Sequence, residues 1–201
     1  MRCFVKALSL VLALCSVTVA DARELGTDFR PFVGRAAVAR FALEDLTGKK
    51  RTLADYSDRV LVVNFWGTTC APCVIEMPTL GELQAAFSDD ELVVLPLSFD
   101  RVGDYPAAAE ELAELTDGRL NFYGDSARHV MFDSYIGGFP STIIYDRAGN
   151  EIARFEGDTN WSSEESIAFF RGLRINHGWW SAEPVRPRES GDLFRVRVVY
   201  R

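Results

Sequence analysis

Cysteine and histidine are both scarce, with four cysteines and two histidines in 201 residues. Cys3 and Cys15 fall in the first apolar stretch, which leaves Cys70 and Cys73 in the rest of the chain. Two thiols three residues apart build no disulfide framework, and so small a ring constrains the unfolded chain far less than a long loop does. His129 and His177 lie far from them at no metal spacing, so the roughly four ligands of a zinc site are missing. Positive charge is also short. The 22 Lys and Arg against 29 Asp and Glu give a net charge of −7, which weighs against nucleic acid and anionic membrane surfaces as partners. Internal repeats, low-complexity tracts and long linkers are absent.

What is present suits a soluble globular domain. Hydrophobic residues make up 48% and charged residues 25%, enough for a core without staples. The first residues read as an export signal: Arg2 and Lys6 precede an apolar stretch from Ala7 to Ala20, and Ala20-Asp21-Ala22 offers a cleavage site. The stretch is shorter than the about 20 residues of a spanning helix. An uncleaved anchor and a lipoprotein acylated at Cys15 are the alternatives, and Leu14 is too large for the latter. The expected division is a signal over 1–22, one domain over 23–175 and an extension over 176–201. The mature protein is then expected outside the cytoplasm, free of the membrane once the signal is cut, or anchored by its N-terminus if it is not.

Val38 to Leu43 and Arg51 to Leu53 flank a Gly-containing turn and read as a hairpin. Val60 to Trp66 is a near-continuous apolar run, the pattern of a strand buried on both faces. From Ala71 to about Phe87 the spacing is helical, with Ile75, Leu80, Leu83 and Phe87 assigned to the apolar side. Leu92 to Phe99 reads as a second buried strand, Tyr105 to Leu115 as a helix, and Ser126 to Tyr135 as a shorter one. Thr142 to Tyr145 and Glu151 to Phe155 form a late hairpin, and Ser163 to Leu173 a final helix opened by a serine cap. Strands alternating with helices imply an α/β sandwich with a parallel core sheet, antiparallel at the late hairpin, and helices on both faces. Phe194 to Tyr200 alternates like an added edge strand, or belongs to a partly ordered tail.

Cys70-Ala71-Pro72-Cys73 stands where the buried strand ends and the helix begins, and a CxxC in that setting reads as a redox motif. Free N–H groups and the dipole at a helix N-terminus favour the thiolate of the first cysteine. The second sulfur lies within a turn, close enough to displace the first from a mixed disulfide. Pro72 suits an early helical position, where its missing N–H costs nothing. Half a zinc site and an inert structural bridge are the competing readings. Glu76 falls one turn beyond Cys73 on the same side of the helix. It either exchanges a proton with the resolving thiol or complements the helix dipole. Asp100, Asp104, Glu110 and Glu111 read as solvated carboxylates, and His129 as a surface residue.

Asn64 to Cys73, with Glu76-Met77-Pro78, Gly138 to Thr142 and Gly157 to Trp161, resembles the TlpA/ResA-type thioredoxin-like family over roughly residues 36–174. The resemblance implies a thioredoxin-like three-layer sandwich, here with an N-terminal hairpin and a C-terminal extension. It implies a periplasmic or membrane-facing disulfide exchanger, often a reductase serving cytochrome c or cytochrome oxidase assembly. Its partners would be protein thiol and disulfide clients and a membrane thiol–disulfide donor, with no cofactor beyond the two thiols and a monomer as the working expectation. It also implies a tuning role for Glu76 and a cis Pro140 opposite the CxxC, with Phe139 beside an extended client segment. Trp66 becomes a core and site-wall residue. Two departures stand out: Thr69 replaces a tryptophan common before the first cysteine, and Phe139 replaces a smaller residue.

A thiol oxidant and, in a different class, a copper-binding or copper-delivery protein are the alternatives to a reductase. Copper-delivery relatives separate the cysteines by three residues and add a histidine, which this chain does not match. The export reading has a direct test. Intact mass of the mature protein is expected to place its first residue near Asp21 or Arg23, with Cys3 and Cys15 gone. A lipid on Cys15 would overturn it.

Overall fold

A computed structural model describes residues 42–126 and 128–175. The export segment, the start of the domain over 23–41 and the extension over 176–201 lie outside the described residues. Strands β1 (Leu43–Glu44) and β2 (Lys50–Arg51) pair antiparallel around a turn, and the expected start of this hairpin at Val38 also lies outside. Strand β3 (Val60–Trp66) follows, then helix α1 (Ala71–Ala85), β4 (Leu92–Ser98) and α2 (Tyr105–Leu115). Next come β5 (Tyr123–Gly124), α3 (His129–Asp133), β6 (Ser141–Tyr145), β7 (Glu151–Glu156) and α4 (Glu164–Ile175).

Among the described residues these strands make one sheet in the order β2-β1-β5-β4-β3-β6-β7. The pairs β3–β4 and β4–β5 are parallel, while β6 runs antiparallel to both β3 and β7. Every residue of β3 is buried, because it has a neighbour on each side and a layer on each face. Its alternate side chains separate the two cores. Val60, Val62 and Trp66 face a cluster with Met77, Leu80 and Leu83 of α1, Leu112 of α2 and Phe170 of α4. Leu61, Val63 and Phe65 face Leu53, Tyr56 and Val130 on the other side. Helices α1, α2 and α4 therefore cover one face, while the other carries the short α3 and a 3-10 turn at Leu53–Tyr56.

Three sequence expectations need correction. Ile75 is 69% exposed, because the buried stripe of α1 runs through Cys73, Glu76, Met77, Leu80, Leu83 and Gln84. At 100° per residue Ile75 points away from that stripe. The helix expected from Ser126 starts only at His129, since Arg128 sits at φ 54 in the left-handed region. Strand β5 went unforeseen. Two residues carry no periodicity, and they form a strand only because β4 and β1 flank them.

The serine cap on α4 is Ser163, whose Oγ accepts the Ser166 N–H at 3.1 Å. Both hairpin turns use one device: the Asp45 and Asp146 carboxylates accept backbone N–H groups of Thr47 and Ala148 at 2.9 Å each.

The corrected helix face makes a paired prediction for denaturant unfolding. Leu80→Ala, at a site with no exposed surface, is expected to cost about 2–5 kcal/mol. Ile75→Ala is expected to stay within about 0.5 kcal/mol of the parent.

Candidate functional site

The site is built where β3 runs out and α1 starts. Beyond Trp66 the chain turns through Gly67, Thr68 and Thr69, and the Cys70 N–H donates to the Gly67 carbonyl at 3.0 Å. Cys70 is the N-cap of α1 in extended backbone, and its own carbonyl accepts the Val74 N–H at 3.1 Å. Pro72 occupies the first turn, where no intrahelical partner awaits an N–H. Cys70 and Cys73 are joined in a disulfide with Cα atoms 5.2 Å apart. Cys73 is fully buried, Cys70 partly so, and Thr69, Ala71 and Pro72 are exposed. Incoming groups therefore meet Cys70 first. The first turn of a 15-residue helix presents unpaired N–H groups there, which favour negative charge on that sulfur.

Glu76 shares the buried stripe of α1 with Cys73, one turn on, and is 2% exposed. Its Oε1 accepts from Asn64 Nδ2 at 2.7 Å, and its Oε2 from the Thr159 N–H and Trp161 Nε1, each at 3.1 Å. Burial pushes the carboxyl up to about 7, against the downward pull of the bonds from Asn64, Trp161 and Thr159. Exposed Asp158 adds a smaller upward push. A carboxyl so placed changes protonation near neutrality, as a proton-exchanging group requires. Asn64 is itself fully buried and gives its other amide hydrogen to Thr142 Oγ1 at 2.9 Å across the β3–β6 pair.

Phe139 and Pro140 sit at the head of β6, whose next residue, Ser141, pairs with Phe65. That register sets them beside the end of β3 from which the CxxC turn departs. The peptide bond between them is cis, Pro140 is buried and Phe139 is half-buried. The Phe139 ring stacks on Phe99 with centroids 3.9 Å apart. Phe99 in turn lies against Gly67, where an added Cβ would meet its ring at 2.6 Å. Gly67 is thus required for the aromatic pair to close over the turn. Trp66 is fully buried among the core residues that also hold Cys73.

Asp100 is not a free surface carboxylate, contrary to the sequence expectation. It accepts three hydrogen bonds from Thr68 and Ser98 within the CxxC turn and the end of β4. His129 is exposed, as expected. The sequence analysis also missed Thr159 and Trp161 as partners of Glu76. The signal for such a contact was Asn64, since a polar side chain in a strand buried on both faces requires a partner.

The AhpC/TSA family profile matches residues 33–154, more than half of the chain. The thiol-disulfide oxidoreductase ResA of Geobacillus kaustophilus is 31% identical over 109 residues, covering 54% of this chain and 61% of that protein. The match thus spans less than two thirds of that relative's length. The thioredoxin domain of a Bacteroides vulgatus thiol-disulfide oxidoreductase aligns with TM-score 0.57 at 22% identity, over 71% of this chain and 99% of that one. A secreted Mycobacterium tuberculosis disulfide oxidoreductase aligns with TM-score 0.52 at 19% identity, over 65% and 96%. At those identities the two structures establish the fold, which is thioredoxin-like.

The buried carboxyl makes stability depend on pH. The folded protein keeps the Glu76 proton up to about 7, whereas an unfolded carboxyl releases it near 4.5. Its contribution is therefore fully present below about 4.5 and is lost as pH rises through about 7. Glu76→Gln is expected to flatten that fall and, if the carboxyl exchanges a proton with the thiols, to shift their titration. Denaturant midpoints and thiolate absorbance across the window measure both. An unmoved thiol titration would rule out the exchange and leave its bonds to Asn64, Thr159 and Trp161 as the role of Glu76, which lies beyond the first turn where a carboxylate complements the helix dipole.

Proposed function

The chain belongs to the AhpC/TSA family, and from that premise we propose an exported thiol–disulfide oxidoreductase that reduces disulfides in client proteins, with Cys70 and Cys73 as its working thiols. The observation that carries the reading is a Cys70–Cys73 disulfide at the head of a helix, with a carboxyl buried one turn below it. A purely structural bridge would not require a half-exposed sulfur at a helix N-terminus or a carboxyl held near neutrality.

In the reduced protein the Cys70 thiolate attacks one sulfur of a client disulfide. A Cys70–client bond forms, the client S–S bond breaks, and the departing client sulfur leaves as a thiolate that takes a proton from water. The Glu76 carboxylate receives the Cys73 proton, and the Cys73 thiolate attacks Cys70 Sγ. The Cys70–Cys73 bond forms and the second client sulfur leaves, so two electrons have passed to the client. A membrane dithiol donor returns them by the same exchange in reverse. Phe139 and Pro140 form the groove wall against which an extended client segment lies, and exposed Ala71 and Pro72 flank the attacking sulfur.

We assign the protein to the cytochrome c or cytochrome oxidase assembly type of reductase, on its resemblance to ResA-type proteins. Its place in the periplasm is supported by the basic and apolar N-terminal segment and by likeness to a relative described as secreted. Among the described residues no helix is long and apolar enough to cross a membrane.

Two measurements test the reading. The equilibrium potential of the mature protein against glutathione is expected to be strongly negative, and a value near the oxidising end of thiol enzymes would make it an oxidant instead. Cys73→Ser is expected to accumulate a mixed disulfide with a client, and Cys70→Ser is not. Trapping through Cys73 alone would overturn the assignment of roles.

A further inference from the structure

We propose that Asp100 is a positioning residue that fixes the CxxC turn and places a negative charge beside it, holding the Cys70 thiol less acidic than its helix alone would make it. The inference rests on the reading of Cys70 as the attacking thiol.

The geometry is a closed set of bonds between the end of β4 and the turn before Cys70. Asp100 Oδ2 accepts the Thr68 N–H at 3.1 Å and the Ser98 hydroxyl at 2.8 Å, while Oδ1 accepts the Thr68 hydroxyl at 3.0 Å. The Asp100 N–H returns to Ser98 Oγ at 3.0 Å, and Ser98 is fully buried. The Phe99 N–H donates to the Trp66 carbonyl at 3.0 Å, which keeps the two strand ends in step. Both carboxylate oxygens are thus committed to a residue two positions from Cys70. A carboxylate accepting several donors is fixed in direction. Thr69 provides no aromatic cover over the sulfur, so the turn is held from Thr68.

The surroundings leave this end of the sheet negative. Burial, then the charges of Asp125, Glu44 and Asp100, raise the Tyr105 phenol of α2 to about 12, and Arg128 only opposes them. The Arg128 guanidinium is turned toward the Phe99 carbonyl at 3.5 Å. On α1 itself the titrating neighbour is Glu76, one turn beyond Cys73. A fixed negative charge beside Cys70 disfavours its thiolate, opposing the helix N-terminus. A less stable thiolate makes the reduced form less stable relative to the disulfide, so the protein gives electrons away more readily. Asp100 thereby biases the exchange toward reduction of clients.

The test compares D100N and D100S, both neutral and both able to accept a hydrogen bond, with D100E and with T68V, which keep the charge. Thiolate absorbance against pH and the equilibrium with glutathione are read on each reduced protein, together with amide exchange at Thr68. In the neutral variants the Cys70 thiolate fraction at a fixed pH below its midpoint is expected to rise about threefold. The equilibrium constant for reduction by glutathione should rise with it. D100E should titrate like the parent, and T68V should do so while its residue-68 amide exchanges faster. Neutral variants that titrate like the parent would overturn the proposal, as would a T68V shift as large as that of D100N. These readouts concern the protein's own thiols and hold whatever client is reduced. Failure of the functional reading would show separately, as a parent disulfide that does not exchange at all.

Discussion

The burial of one carboxyl organises this molecule. Glu76 of α1 is reached by Asn64 from β3 and by Thr159 and Trp161 from the segment after β7. Three donors from two stretches far apart in sequence therefore converge on two oxygen atoms. A buried carboxylate without partners is among the costliest groups a core can hold, so these donors are a condition of its presence there. The same contacts seat the Trp161 indole on Phe155, ring centroids 4.9 Å apart, and against Phe170 of α4. Packing on that face of the sheet and the protonation of Glu76 are consequently one problem with one solution.

The sequence made the framework legible where burial leaves a periodic trace. Strand β3 was readable because a run of seven buried residues can hardly be polar, and α2 because its Ala, Glu and Leu composition and its bounds agree. The CxxC was legible because its chemistry depends on local context, a strand end and a helix start. Strand β5 and the start of α3 were not, since two residues between neighbouring strands and one left-handed arginine leave no pattern. Ile75 misled for the opposite reason. It is apolar and close to the right spacing, yet the stripe had already been claimed by Cys73 and Glu76.

Asp100 marks a different limit. An aspartate just beyond a strand reads as solvated because most are, and nothing local distinguishes one that is not. Its partners Thr68 and Ser98 become neighbours only when β3 and β4 lie parallel and in register, with Trp66 opposite Ser98. Asn64 did announce a contact, being polar inside an apolar run, but not with whom. Thr142 opposite it is set by the antiparallel β3–β6 register, and Glu76 by the angle at which α1 crosses the strand. Side chains whose meaning depends on long-range register are the ones a single sequence conceals.

In the proposed scheme two carboxyls, one bonded to the turn before Cys70 and one buried a turn beyond Cys73, divide the electrostatic tasks. Glu76 is buried, its charge is costly, and burial raises its carboxyl to about 7. Asp100 is half-exposed and accepts from both Thr68 and Ser98, so its carboxylate is fixed in direction against the turn. The helix N-terminus alone would favour a stable Cys70 thiolate, and a stable thiolate is a poor reductant because the reduced form is where the system comes to rest. In the proposed scheme the Asp100 carboxylate beside the turn lifts that state, while Glu76 is the proton acceptor for Cys73. In that scheme the direction in which electrons leave the site follows from these two carboxyls as much as from the CxxC itself.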